Sequence, residues 1–232
     1  MSRDPLILAV ETATLTGSVC LCRGVQLLAA KIGNPEFSHS NTLLADINEV
    51  LQHSDASLKD VDLVAVAIGP GSFTGLRIGL ATVKAFAATL NVACAGVPTL
   101  EAVAHAAGAS RATVAVLPAG RGEVFAQLLS VSEDLVVTAI DDPAHISPAA
   151  LLEKYARYPN LCWAGEGSST YWPRISEHMG PRVWTLGPIA DNLALSVALL
   201  SGKRSGQKDL LDPNALRAMY VRPSDAELNQ KC

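Results

Sequence analysis

The chain has 232 residues, 49% of them hydrophobic and only 17% charged, with a formal net charge of -4. So few charges at a mean hydropathy of +0.26 exclude intrinsic disorder and imply apolar surface that needs a partner. A pI near 5.7 excludes a basic nucleic-acid clamp. No stretch reaches the ~18 uninterrupted apolar residues of a spanning helix, and Met1-Ser2-Arg3-Asp4-Pro5 does not read as a signal peptide, so a cytoplasmic protein without a membrane is expected.

Leu6–Val10 is a continuous apolar run, the pattern of a buried strand. After a Thr-rich turn, 17–22 and 25–32 predict two more strands, closed by Gly33-Asn34-Pro35. A helix follows over about 40–53, with Leu43, Leu44, Ile47, Val50 and Leu51 as its apolar stripe and Ser38 or Ser40 as N-cap. Residues 62–68 read as a strand, 74–90 as a helix, 92–96 as a strand, and 98–107 as a helix with Pro98 in its first turn. The second half repeats that order. It predicts strands at 112–117, 123–131 and 135–140, a helix to Tyr155 opened by Ser147-Pro148, and a strand at 160–164. A helix at 168–179 that Pro173 weakens, a strand at 182–185 and a helix at 189–200 complete it. From Lys203 onward, charge mixed with Pro213 and Pro223 reads as a tail that packs on a lobe and then frays.

Two β-β-β-α-β-α-β-α copies with little residue identity predict a duplicated α/β fold with mixed sheets, in lobes 1–109 and 110–202 before a tail of 203–232. That order is similar to the actin/hexokinase/Hsp70 superfamily, whose two lobes usually hold a nucleotide between them.

The most unusual stretch is Gly69-Pro70-Gly71-Ser72-Phe73-Thr74-Gly75-Leu76-Arg77-Ile78-Gly79, placed where helix N-terminal amides can bind an anion. It lacks the Gly-Lys-Ser/Thr end of a Walker A loop and is one residue too long for a Rossmann fingerprint. A tight turn with close helix packing is the other use of its glycines. In the helix that follows, Leu76, Leu80, Val83, Ala87 and Leu90 form a seam, while Ile78, Ala81, Ala85, Phe86 and Ala88 spread around the rest. One sheet covers one face only. The remainder is either deep core or, with the 40–53 helix, a ridge offered to another protein.

Glu11-Thr12-Ala13-Thr14 follows the first strand, where phosphotransferases of this fold class place an acidic residue that helps to hold metal and water. A solvated strand end is the plainer use of such a carboxylate. The equivalent turn of the second copy, Leu117–Glu123, places no carboxylate directly after its strand, so half the equipment of a two-lobed phosphotransferase is missing. The cysteines at 20, 22, 94, 162 and 232 read as reduced core thiols, Cys20 and Cys22 on one strand face. The histidines at 39, 53, 105, 145 and 178 form no zinc helix, and His39 reads as a helix-entry residue. There is no Gly-x-Ser-x-Gly elbow, and Trp163, Trp172 and Trp184 read as packing.

In Leu6–Thr12, His39–Leu44, Val66–Gly79, Arg121–Phe125 and Tyr220–Pro223 the chain resembles the TsaB (YeaZ) family over nearly its whole length, most weakly from about 130 to 205. The resemblance implies a non-catalytic protein of duplicated actin-like fold. Its role would lie in making N6-threonylcarbamoyladenosine (t6A) at position 37 of ANN-decoding tRNAs. It also implies pairing with the related catalytic subunit TsaD through the first two helices, with the ATPase TsaE joining and TsaC supplying threonylcarbamoyl-adenylate. Carried onto this sequence, the partner-binding residues are Leu43, Leu44, Ile47 and Leu51 on the first helix, and Leu76, Leu80, Ala81, Val83, Lys84 and Ala87 on the second. Glu11, Thr12, Gly69, Gly71 and Gly75 become vestigial nucleotide or turn elements. ATP and metal are expected on partner subunits and none in this chain, tRNA contact is expected to be indirect, and the ridge is expected to self-associate when alone.

Two departures from the family pattern, Glu11 in place of aspartate and Pro118-Ala119-Gly120-Arg121 in place of Asp-Ala-Arg-Arg, weigh against a nucleotide site here. The rival reading is an ATP-dependent phosphotransferase using Glu11 and the glycine-rich loop. A metallopeptidase finds no support in these residues.

Overall fold

The computed structural model describes residues 3–205 and 212–221. The first half contains β1 (Leu6–Glu11), β2 (Ser18–Arg23), β3 (Gln26–Ile32), α1 (His39–His53), β4 (Leu63–Gly69), α2 (Phe73–Leu90), β5 (Ala93–Pro98) and α3 (Thr99–Ala107). The second contains β6 (Ser110–Gly120), β7 (Glu123–Val131), β8 (Val137–Ala139), β9 (Ala144–Ile146), α4 (Pro148–Tyr155), β10 (Asn160–Ala164), α5 (Glu166–Glu177), β11 (Val183–Leu186) and α6 (Leu193–Ser205). The predicted order holds throughout. The main local difference is at 135–140, where β8 is shorter and β9 supplies a second piece of the same edge. Between them Asp141 turns inward, accepting from the Leu128 amide (2.8 Å) and the Tyr155 hydroxyl (2.8 Å), which removes it from any ladder.

The first sheet has the order β3-β2-β1-β4-β5, antiparallel from β1 to β3 and parallel from β1 to β5. The second runs β11-β10-β6-β7-β8, with β9 also on β7. Its β6–β7 pair is antiparallel and its β6–β10–β11 side parallel. The two sheets thus share one wiring, the mark of a duplicated α/β fold with mixed sheets. The turns follow residue chemistry: Arg121 and Gly122 both take positive φ (52° and 76°) in the two-residue β6–β7 hairpin. Gly165 at φ 90° opens α5 two residues before the predicted start, and Pro173 remains within that helix.

By contacts the chain forms two compact units, the first reaching to Ala102 and rejoined by Asp191–Met219, the second spanning Val103–Ala190. This corrects the boundaries read from the sequence. The break falls inside α3, not after residue 109. The last helix, expected in the second lobe and ending near residue 200, runs to Ser205 and packs on β1, β2, β4 and β5 of the first sheet. Its Ala194 amide donates to Ser18 Oγ (3.0 Å) at the start of β2. Periodicity shows that a helix has an apolar face without showing which sheet that face covers. Of the predicted tail, Leu216 is fully buried in the first unit's core and the Met219 amide donates to Ile68 O (2.7 Å). The rest of that tail, at 206–211 and 222–232, lies outside the described residues.

In the first unit, Leu6, Leu8 and Val10 of β1 and Val64 and Val66 of β4 face α1 and α2 in one apolar cluster. The opposite strand face carries Cys20 and Cys22, buried with their sulfurs 3.8 Å apart, as the alternation predicted. In the second unit the Trp163 and Trp184 rings lie tilted against each other, centroids 5.3 Å apart, within the core, and Trp172 is half-buried beside it.

Candidate functional site

The β1–β2 turn and the glycine-rich segment meet directly. Glu11 ends β1 with a fully buried carboxylate: Oε1 accepts from the amides of Ala13 (2.5 Å) and Thr14 (2.8 Å), and Oε2 from the Thr14 hydroxyl (2.8 Å). Thr14 Oγ1 in turn accepts from the Gly17 amide (3.1 Å), and His39 Nε2 donates to Thr14 O (3.0 Å). The solvated strand end expected as the plainer reading of Glu11 is therefore wrong. Burial raises the carboxyl pKa above its ordinary value, against the hydrogen bonds from Thr14 and Ala13 that favour the anion.

Opposite this turn, Ser72 caps α2 by accepting from the Gly75 amide (3.2 Å), and the Ser72 amide donates to Ala13 O (2.7 Å). Thr12 Oγ1 donates to Gly75 O (2.8 Å). The glycines are what allow this approach. A Cβ on Gly75 would overlap Thr12 O, one on Gly71 would overlap Ala13 O, and one on Gly69 (φ 113°) would lie 2.5 Å from Met219 O. The remaining void beside Glu11, bordered by His39, Thr42 and Asp46, is about 10 Å³, room for one water and not for a phosphate. Turn amides that would cradle a phosphate are already donating to Glu11. The second hairpin, at Arg121-Gly122, places no carboxylate there.

The ten candidate partner-binding residues separate into two groups. Leu43, Ile47 and Leu51 of α1 and Leu76, Leu80, Val83 and Ala87 of α2 are buried, none more than 7% exposed. They hold the helices onto their own sheet and cannot meet another protein while the unit is folded, a correction to the sequence reading. Leu44 is 65% exposed, Ala81 is exposed and Lys84 is half-buried. Ala85 and Ala88, read from the sequence as part of the helix's remaining apolar side, are exposed with Ala81, and Asn41, Ala45 and Asn48 on α1 and Arg77 on α2, which the sequence reading passed over, complete this outer side. Ala81, Ala85 and Ala88 recur at helical spacing, and that small-residue ridge was the available signal. Helix α2 has the length and hydropathy of a membrane-crossing helix. Its buried seam and the Arg77 and Lys84 on its other sides make it the core helix of a folded unit.

A family model described as TsaD, tRNA N6-adenosine threonylcarbamoyltransferase, matches residues 35–183. The chain is 26% identical to the tRNA threonylcarbamoyladenosine biosynthesis protein TsaB of Bacillus subtilis, over 95% of this chain and 96% of that protein. To the Escherichia coli protein of the same name it is 30% identical, over 75% of this chain and 76% of that one. Among solved structures, YeaZ from Pseudomonas aeruginosa matches with a TM-score of 0.73 at 23% identity, covering 93% of this chain and 99% of that one, a likeness of fold.

Proposed function

The chain belongs to the TsaB (YeaZ) family of tRNA threonylcarbamoyladenosine biosynthesis proteins, and from that premise we propose that it is a non-catalytic subunit that holds and activates a TsaD-like catalytic partner in t6A formation. The observation that carries this reading is the outer side of α1 and α2. There a large exposed leucine, Leu44, and the ridge Ala81–Ala85–Ala88 lie on helices otherwise committed to the core. Small side chains permit close helix-to-helix approach, and a contact of this kind buries on the order of 1,600 Å² in total. A TsaE-like ATPase joins the pair, ATP and metal sit on the partner subunits, tRNA contact is indirect, and alone the same ridge pairs with a second copy. The self-satisfied Glu11 turn supports the assignment of nucleotide chemistry to the partners.

The test is co-purification and calorimetry with the purified TsaD-type subunit. Leu44→Glu and Ala81→Arg place charge on the exposed ridge and should each abolish pairing at micromolar concentration, with the melting temperature unchanged. Leu80→Glu is unsuitable, because Leu80 is 7% exposed and a charge there would unfold the unit. Pairing that survives both ridge variants would place the interface elsewhere. The phosphotransferase reading requires this chain alone to bind Mg-ATP; the absence of heat up to millimolar nucleotide removes it.

A further inference from the structure

The second unit carries a cleft of about 320 Å³ between α4, α5 and β11, a size within the range of small-ligand sites. Leu152, Ala156 and Trp184 are among its apolar lining residues, and its polar ones are Glu153 from α4, Arg174 from α5, His178 at the C-cap of α5, and Arg182 ahead of β11. Arg182 commits its Nε and Nη1 donors to the protein. Its Nε donates to Ala156 O (2.7 Å) and its Nη1 to His178 O (2.8 Å) and Met179 O (3.2 Å), so it neutralises the carbonyl ends of both helices. Its Cζ also lies 5.3 Å from the Trp184 ring centroid, while Trp184 Nε1 is satisfied by Tyr158 O (3.0 Å).

Arg174 and Glu153 differ from Arg182. Among the described residues neither side chain makes a hydrogen bond or ion pair with the protein. His178 Nδ1 donates to Arg174 O (2.9 Å), which leaves Nε2 as an acceptor. The last turn of α5 thus offers a fork of N–H donors, α4 offers an acceptor, and Leu152, Ala156 and Trp184 supply the apolar part of the lining.

We propose that this cleft binds a free nucleoside monophosphate. The phosphate is held by the Arg174 guanidinium, the base lies over the apolar surface, and N–H groups of the base donate to the Glu153 carboxylate. Guanine fits best, because its ring N–H and amino group stand side by side and match the two carboxylate oxygens, whereas adenine sets an acceptor beside its amino group. The inference is independent of the family's role.

The test is calorimetric titration of the full chain with GMP, AMP, ribose 5-phosphate and inorganic phosphate. GMP should bind with a Kd below about 1 mM and more tightly than AMP, with inorganic phosphate at least about tenfold weaker. Arg174→Gln should weaken GMP about tenfold or more. Glu153→Gln should weaken GMP and leave ribose 5-phosphate unchanged. Both side chains are exposed, so both variants should melt with the parent. No heat at 10-fold above that Kd, equal affinity for GMP and inorganic phosphate, or GMP binding indifferent to both variants would each overturn the proposal.

Discussion

Gly75→Ala tests whether the glycine-rich segment serves packing or ligand binding. Gly75 is in the first turn of α2, its carbonyl accepting from Thr12 Oγ1 (2.8 Å), and a Cβ there would overlap the main-chain oxygen of Thr12. That oxygen has little freedom. The Glu11 carboxylate pins the amides on its far side, and the Ser72 amide holds Ala13 O at 2.7 Å. The backbones must separate, an overpacking cost of about 1–3 kcal/mol. Separation also weakens the Thr12–Gly75 and Ser72–Ala13 bonds, at about 1 kcal/mol each. The gain in helix propensity returns about 1 kcal/mol. The net expectation is a loss of about 3 kcal/mol, or about 6–12 °C in Tm for a chain of this size. Gly202→Ala is the control, because its nearest neighbour is the flexible end of Ile7, Cδ1 at 3.2 Å, within α6. It should be neutral or stabilising by up to about 1 kcal/mol. Urea unfolding followed by circular dichroism measures both. A Gly75→Ala protein within about 1 kcal/mol of the parent, or an equal loss in Gly202→Ala, would refute the packing account.

Glu11→Gln reads the buried carboxyl. Since burial raises the Glu11 pKa, the folded state binds its proton more tightly than the unfolded chain, and wild-type stability falls as pH rises above the ordinary value of 4.5. Gln keeps an oxygen for the Ala13 and Thr14 amides, so unfolding curves at pH 4 and pH 7 should show the variant gaining on the parent toward pH 7; a gain toward acid would reverse the assignment. Tyr155→Phe removes the 2.8 Å bond to Asp141 Oδ2, leaving Asp141 with the Leu128 amide and Lys154 Nζ (2.8 Å). A loss of about 1–2 kcal/mol is expected by urea unfolding. Burial, then the bond to Asp141, drives the Tyr155 phenol far above its usual range, so spectrophotometric titration of the folded protein should leave it un-ionised at a pH that ionises it once the chain is unfolded.

The periodicities of this chain were enough for the order of its elements. Apolar runs such as Leu6–Val10, short and bounded by turn residues, read as buried strands, and repetition of one order in two halves implies a duplicated fold. These are local properties, set by side-chain spacing and backbone freedom. Where a stripe comes to rest is a different matter. Leu80 and Ala81 are neighbours on an apolar helix, yet one is core and the other surface, and α6 covers the first unit's sheet, its Ala194 bonding Ser18 across 176 residues of chain. The carboxylate of Glu11 was expected at a solvated strand end and is instead enclosed by three donors. The Arg174, His178 and Glu153 cleft has no contiguous motif at all. Burial and the partners of a polar group depend on what long-range contacts bring alongside, so spacing along the chain determined the elements and only tertiary packing decided which of their residues remain free to meet another molecule.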